Sequence, residues 1–520
     1  MRRSNVLLTP DERGRHMGRL ALHVFGYAAT AALVWAFLTL HTRPEPPGAW
    51  LRWVVLVAMG PSLFRYGVQL VLAPLYEIVM SRRRRRLAAR CVVRRPSVSV
   101  LVPAWNEEVG IEATVRSVLA SDYPDVELVV VDDGSTDRTE EVMRRLVREH
   151  EASGRPGRLV FRSQPNNGKS RAMNTALSLA TGDLIVTVDA DSVVEPDAIR
   201  EIVRMYDDPK VMSVAGNVKI GNRDSVVGLI QQFEYMYAFF FKKADSLLNA
   251  VYIVGGAAAS YRRSVFQRIG GFDETIITED IEMSTRIQDA GGRVQYAPRA
   301  VIWTEGASDV VGLARQRLRW KYGRLITFWR YRWMFLSTAS RHNLWLAWLV
   351  MPVTVIADAL LLLEPVLLAL IAAYTWVSHD FLPILVYAAA LALLITFQVL
   401  TDVRRRRNLN LLPLAPFAWL LVYFVDAIEF QALVRSLVRI SRRRGLDWQR
   451  WERTGVFSGE TETPEELAAT LEEQTTPPPA PGRAGQPGED RQHSPDAEVT
   501  GGSPVTRCRH PPPGGISLVG

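Results

Sequence analysis

Five long apolar runs, Leu20 to Leu40, Trp53 to Met80, Leu344 to Val377, Phe381 to Leu400 and Leu411 to Val434, bracket a central stretch of mixed polarity. The first two are each long enough to cross a bilayer, although the second holds Arg65. No small-residue cleavage site follows the first run, and a second arrives soon after, so it reads as an anchor rather than a removable leader. The sequence therefore predicts a membrane protein with a large polar insert between its helices.

Charge sets the expected orientation. The net charge is +8, and the arginines cluster as RRRRR (82–86), RRRR (404–407) and RRR (442–444), each beside an apolar run. That placement is expected of cytoplasmic membrane flanks and argues against a nucleic-acid partner. Arg2, Arg3, Arg13, Arg15 and Arg19 precede the first run, and Arg82 to Arg86 follow the second. The expected organisation is a cytoplasmic N-terminus (1–19), two transmembrane helices (20–80) and a cytoplasmic domain (96–335). A C-terminal transmembrane region of about three segments (344–434) and a Pro-, Gly- and acid-rich tail (455–520), expected to be disordered, complete it. Three C-terminal crossings would leave Arg435 to Arg444 outside, against the charge rule. Either 411–434, which holds Asp426 and Glu429, re-enters without crossing, or an odd count prevails despite the charge.

The central stretch alternates. SVSVLVPAW (97–105), VELVVVDDG (126–134), LVFRSQP (159–165) and DLIVTVDAD (183–191) read as strands, with helical stretches at 108–120, 136–150 and 170–181. This predicts a doubly wound α/β sheet that binds ligands at the carboxyl ends of its strands. Asp132, Asp133, Asp189 and Asp191 all stand at such ends. Cys91 and Cys508 are far apart and lack histidine partners at ligand spacing, which argues against a disulfide framework or a zinc site. Any metal chemistry must then come from carboxylates and a hard cation.

The motifs supply such chemistry. In DAD (189–191) two carboxylates one residue apart repel each other unless a cation neutralises them. Mg2+ and Mn2+ bind through one or two carboxylates plus substrate phosphates. PAWNEE (103–108) brings Asn106 and Glu107 to the end of the first strand. VVDDGSTD (130–137) ends the second with carboxylates placed for a ribose or a base N–H, followed by a turn and a helix cap. NNGKSRAMN (166–174) sets a glycine and Lys169 at a helix entrance, which suits phosphate. ITED (277–280) offers Glu279 and Asp280, a candidate general base, or equally a cap for a helix over 280–290. QRLRW (316–320) lays Gln316, Arg319 and Trp320 along one helix face, an indole for a sugar ring and a fork for phosphate. The same stretch also reads as an amphipathic helix at a membrane surface.

In this order, D-D-G, D-A-D, T-E-D and Q-R-L-R-W resemble the motifs of the membrane-embedded, processive inverting glycosyltransferases of the GT-A fold. That group includes cellulose, chitin, hyaluronan and poly-N-acetylglucosamine synthases. NNGKSRAMN, AGNVKIGNRDSVVGLIQQFEY (215–235) and ITEDIEMS (277–284) are most similar to the bacterial poly-β-1,6-N-acetylglucosamine synthases. The resemblance covers roughly 97–335. It implies an α/β GT-A (Rossmann-like) cytoplasmic domain flanked by transmembrane α-helices in the cell membrane. It also implies a UDP-sugar donor, a polysaccharide acceptor, a Mg2+ or Mn2+ cofactor and a possible export partner. Donor contacts implied are Asn106, Glu107, Asp132, Asp133, Lys169, Asp189, Gln316 and Arg319, with Asp191 and Asp189 for the metal. Asp280 would be the catalytic base, with Trp320 and Glu279 at the acceptor. One departure is KYG at 321–323, where Ala-Gln-Gly is expected, and it bears on sugar identity and processivity. Two competing readings are transfer of a single sugar to a lipid-linked acceptor and a non-catalytic membrane scaffold.

Overall fold

The computed structural model describes residues 10–40, 50–88, 95–154, 156–446 and 455–456. Most of the expected N-terminal cytoplasmic segment's first half (1–9), and the tail beyond 456, lie outside the described residues. Two long helices come first, α1 (Pro10–Leu40) and α2 (Trp50–Ala88). Then β1 (Val98–Ala104), α3 (Ile111–Leu119), β2 (Val126–Asp133), α4 (Thr139–Ser153), β3 (Arg158–Gln164), α5 (Lys169–Leu179) and β4 (Leu184–Thr187) alternate as the sequence predicts. Next are β5 (Ser192–Val194), α6 (Ala198–Val203), β6 (Val211–Ile220), α7 (Val226–Leu247), β7 (Ala259–Arg262) and α8 (Arg263–Ile269). The domain ends with α9 (Glu279–Asp289), β8 (Arg293–Thr304) and α10 (Val310–Arg330). The last helices are α11 (Met351–Ser378), α12 (Leu382–Thr401), the short α13 (Arg405–Asn408) and α14 (Ala418–Ser441).

The strands form one eight-stranded sheet of order β3-β2-β1-β4-β7-β6-β8-β5. The first four are parallel. β7 runs antiparallel to both β4 and β6, and β5 antiparallel to β8, so the sheet is mixed. Leu128 to Val131 on β2 are fully buried, as are Val100 to Val102 on β1. Burial of both faces explains why these strands read as continuous apolar runs rather than alternating ones. The long helices α7 and α10 start at side-chain caps. Ser225 Oγ accepts from the Gly228 N–H at 2.9 Å, and Asp309 Oδ1 accepts from the Gly312 N–H at 2.6 Å.

Among the described residues, five helical segments are long and apolar enough to cross a membrane: Met17–Ala36, Gly60–Arg83, Leu346–Ser378, Leu382–Thr401 and Arg405–Ser441. Only residues 379–381 separate α11 from α12. Beyond α12 the chain meets the α/β domain again. Lys219 pairs with Asp402 at 2.9 Å, Arg404 with Glu195, and Asn410 donates to Gln232 Oε1 at 2.9 Å. α14 keeps contact with the domain along its length. Ala418 shares an apolar cluster with Phe233 and Met236, and Ile428 with Val227 and Leu313. Past its end, the Arg444 carbonyl accepts from the Tyr322 hydroxyl at 3.4 Å.

Candidate active site

Parallel strands deliver their carboxyl ends to one place. There, Ala104 and Trp105 after β1, Asp133 at the end of β2 and Asp189 to Asp191 after β4 line a cavity of about 770 Å³. Lys169 and Glu279, at the first turns of α5 and α9, face it with Asp280. Glu107 and the α10 residues Gln316, Arg319 and Trp320 complete the set brought together. Two expected donor contacts do not line it. Asp132 is 1% exposed and accepts from the backbone N–H and hydroxyl of Ser135 and from Ser163 Oγ, so it fastens the turn after β2. Asn106, at φ 54°, accepts from the Thr136 N–H at 2.6 Å and bridges the loops after β1 and β2. Both brace the cavity's wall.

Asp133 does face the cavity, and its carboxylate is engaged by the loop before α5. It accepts from Gln164 Nε2 at 2.8 Å, from the Gly168 N–H at 2.7 Å and from the Asn167 N–H at 3.2 Å. Gly168, at φ 91°, occupies a backbone conformation natural only to glycine, which lets two successive N–H groups converge on one acid. The Lys169 ammonium lies between Asp189, at 2.7 Å, and Glu279, at 3.0 Å. Burial disfavours its charge, but these two carboxylates outweigh burial and hold the Lys169 pKa above its usual value. Asp191 Oδ1 accepts from Ser192 Oγ and Thr304 Oγ1, each at 3.2 Å.

The carboxyl of Asp280 is pushed up to about 6, first by burial and then by the adjacent Glu279 charge, with Lys169 pulling the other way. A base works only when ionised, so an elevated value places its loss of function at mildly acidic pH. Turnover is expected to fall as pH drops through about 6, by about tenfold per unit below it, and to level off above. A pH profile of kcat checks this.

The helix after ITED begins at Glu279, and Thr278 stands at its cap position without a side-chain capping bond. Its hydroxyl instead meets α10, where a Cβ on Gly323 would fall 2.1 Å from Thr278 Oγ1. Glycine there lets α10 lie directly on Thr278, just before the turn of α9 that carries Glu279 and Asp280. On α10, buried Gln316, which lines the cavity, has an Oε1 with no hydrogen-bond partner among the described residues. Trp320 is half-buried beside Tyr235, with ring centroids 6.5 Å apart. Sequence reasoning missed the contribution of α7, whose Glu234, Tyr235, Lys242 and Asp245 also line the cavity. The signal is present as polar residues interrupting the aromatic run FEYMYAFFFKKAD (233–245).

Among the described residues, no three His, Cys, Asp or Glu side chains cluster closely enough to hold an ion unaided. Asp189 and Asp191 nevertheless present hard oxygens to the same cavity. That suits a Mg2+ or Mn2+ ion that takes further ligands from phosphates and water. Because Lys169 already engages Asp189, Asp191 is the stronger metal candidate of the two.

Residues 96–323 match the family model described as "Glycosyltransferase like family 2". Over these residues the chain is similar to that family. The domain has the GT-A-like architecture that its motifs imply, a mixed central sheet with apolar helices beside it. The poly-beta-1,6-N-acetyl-D-glucosamine synthase of Staphylococcus epidermidis is 30% identical over 243 residues, covering 46% of this chain and 58% of that protein. The synthase of the same name from Staphylococcus aureus (strain COL) is 32% identical over 228 residues, covering 44% and 54%. The chain thus spans a little over half the length of these curated relatives. Among solved structures, the mannosyltransferase PcManGT from Pyrobaculum calidifontis, in complex with GDP-Man and Mn2+, is 25% identical with a TM-score of 0.49. That match covers 75% of this chain and 99% of the other.

Proposed function

We propose that the protein is a membrane-embedded, inverting glycosyltransferase that moves a sugar, N-acetylglucosamine in first place, from a UDP-sugar onto the end of a growing β-linked polysaccharide. The carrying observation is one cavity that holds Asp133, Lys169, Asp189, Asp191, Asp280 and Trp320 side by side. The names of the curated relatives support the choice of sugar and product. Asp133 and the loop it fastens receive the nucleoside end, and Lys169, Gln316 and Arg319 meet the diphosphate. Trp320 carries the acceptor sugar. Asp280 takes the proton from the acceptor hydroxyl, whose oxygen bonds to the anomeric carbon as the bond to UDP breaks on the opposite face, converting an α to a β linkage. Lys169 and Arg319 stabilise the charge that collects on the departing UDP. A Mg2+ or Mn2+ held by Asp191 and Asp189 supplies Lewis-acid neutralisation of the same charge when bound.

The test is purified protein in lipid nanodiscs, fed a panel of radiolabelled UDP-sugars, with product length read on a gel. Polymer from one sugar is the expected result. A lipid-soluble monosaccharide as the sole product overturns the polymer reading, and no transfer from any donor overturns the enzyme reading.

The contacts of α14 support a topology in which α1, α2, α11 and α12 cross and α14 stays on the side of the catalytic domain. This even count leaves Arg404 to Arg407 and Arg435 to Arg444 together in the cytoplasm, as the charge rule requires. A cysteine placed at His379 is expected to react with a membrane-impermeant maleimide in intact cells. One placed at Ser441 is expected to react only after permeabilisation.

A further inference from the structure

Lys321, the residue that departs from the expected pattern after Q-R-L-R-W, has no part in the donor or acceptor contacts described above. It belongs to a charged seam. Arg317, Lys321 and Arg324 lie along one face of α10 at spacings of four and three. Opposite them stand three acids from three other helices, Glu234 on α7, Asp358 on α11 and Glu429 on α14. Arg317 reaches Glu234 at 2.6 Å and Glu429 at 3.7 Å. Lys321 reaches Glu429 at 2.6 Å and Asp358 at 3.0 Å. Arg324 binds both oxygens of Asp358, at 2.7 and 2.8 Å. The Arg317 and Lys321 side chains are only 4% and 6% exposed. Buried ion pairs add little net stability, but a balanced network of them fixes one arrangement of the helices that carry it.

The seam ends on the proposed acceptor platform. The Arg317 guanidinium lies 4.4 Å from the centre of the Trp320 ring, a distance at which cation and indole attract. A continuous path of contacts therefore runs from Asp358 through Lys321, Glu429 and Arg317 to Trp320. Apart from the seam, Lys169, Asp189 and Glu279 form a cluster of their own.

We propose that Glu429, acting through Lys321 and Arg317, is a positioning residue that holds Trp320 for the acceptor, so that α11 and α14 set where the end of the acceptor chain rests. The proposal rests on the acceptor role assigned to Trp320 above. Removing Glu429 leaves Lys321 without its nearest acid and Arg317 held by Glu234 alone, which loosens the guanidinium over the indole.

The test assays Glu429→Gln and Lys321→Gln in nanodiscs with UDP-N-acetylglucosamine and an added N-acetylglucosamine oligosaccharide. The acceptor KM is expected to rise at least about tenfold, with UDP binding by calorimetry held within about twofold. Lys321→Arg, which keeps the charge, is expected to stay within about threefold of the parent in acceptor KM. An unchanged acceptor KM in both Gln variants overturns the proposal. So does a parallel loss of UDP binding, which marks a merely structural role. Failure of the unaltered protein to transfer any sugar overturns the glycosyltransfer reading and this proposal with it. Transfer by the unaltered protein with no shift in the variants confines the failure to the seam.

Discussion

Asp280→Asn is expected to give a protein that folds, binds UDP and does not transfer. The amide matches the carboxylate in size but cannot take the acceptor's proton, and a positioned base contributes about 10²–10⁴-fold. Stability is expected to hold or improve. The folded carboxyl titrates near 6 against an ordinary value of 3.8, raised by burial and then by Glu279. An acid with a raised folded pKa binds more protons folded than unfolded, so its contribution becomes unfavourable as pH rises from about 4 to 6. At neutral pH the neutral amide removes that burden. Thermal unfolding and UDP titration, run beside a transfer assay, separate loss of chemistry from loss of fold. Undiminished turnover would overturn the assignment of Asp280 as the base.

Thorough chelation is expected to have an effect of similar size. Two acids that face one cavity supply hard oxygens, and the charge on a departing diphosphate needs a counterion. Treatment with EDTA is expected to lower transfer on the order of 10²-fold or more and to weaken UDP binding, with Mg2+ or Mn2+ restoring both. Asp191→Asn is expected to reproduce the loss without restoration by added ion. Asp189→Asn also frees Lys169 from one of its two partners, so its defect is expected to include misplacement of that ammonium. Full activity after chelation would remove the metal from the mechanism.

Strand ends were the most legible feature, because buried parallel strands must be apolar and their loops need not be. The motif order then located Asp133, Lys169, Asp189, Asp191 and Asp280, which the fold gathers around one cavity. Spacing could not say which of Asp132 and Asp133 turns inward. Successive residues on a strand point to opposite faces, so only one of the pair can. Asp132 pairs with Ser163 across the sheet and Asp133 with Gln164, and each carboxylate accepts from the side chain it is registered with. Nor could spacing say that Asn106 bridges to the loop after β2, since only folding brings that loop beside it. The seam was illegible, because its acids lie on three helices far from α10 in sequence and only folding pairs them. The last apolar run posed a question of direction that only its contacts with α7 and α10 address.

Gly323 has a wider consequence. With no side chain at that position, α10 rests directly on Thr278, the residue that precedes α9, so the helices carrying Trp320 and Asp280 are held at close range. A side chain at Gly323 would drive the two helices apart, so any reshaping of the cavity should begin elsewhere and leave that glycine in place.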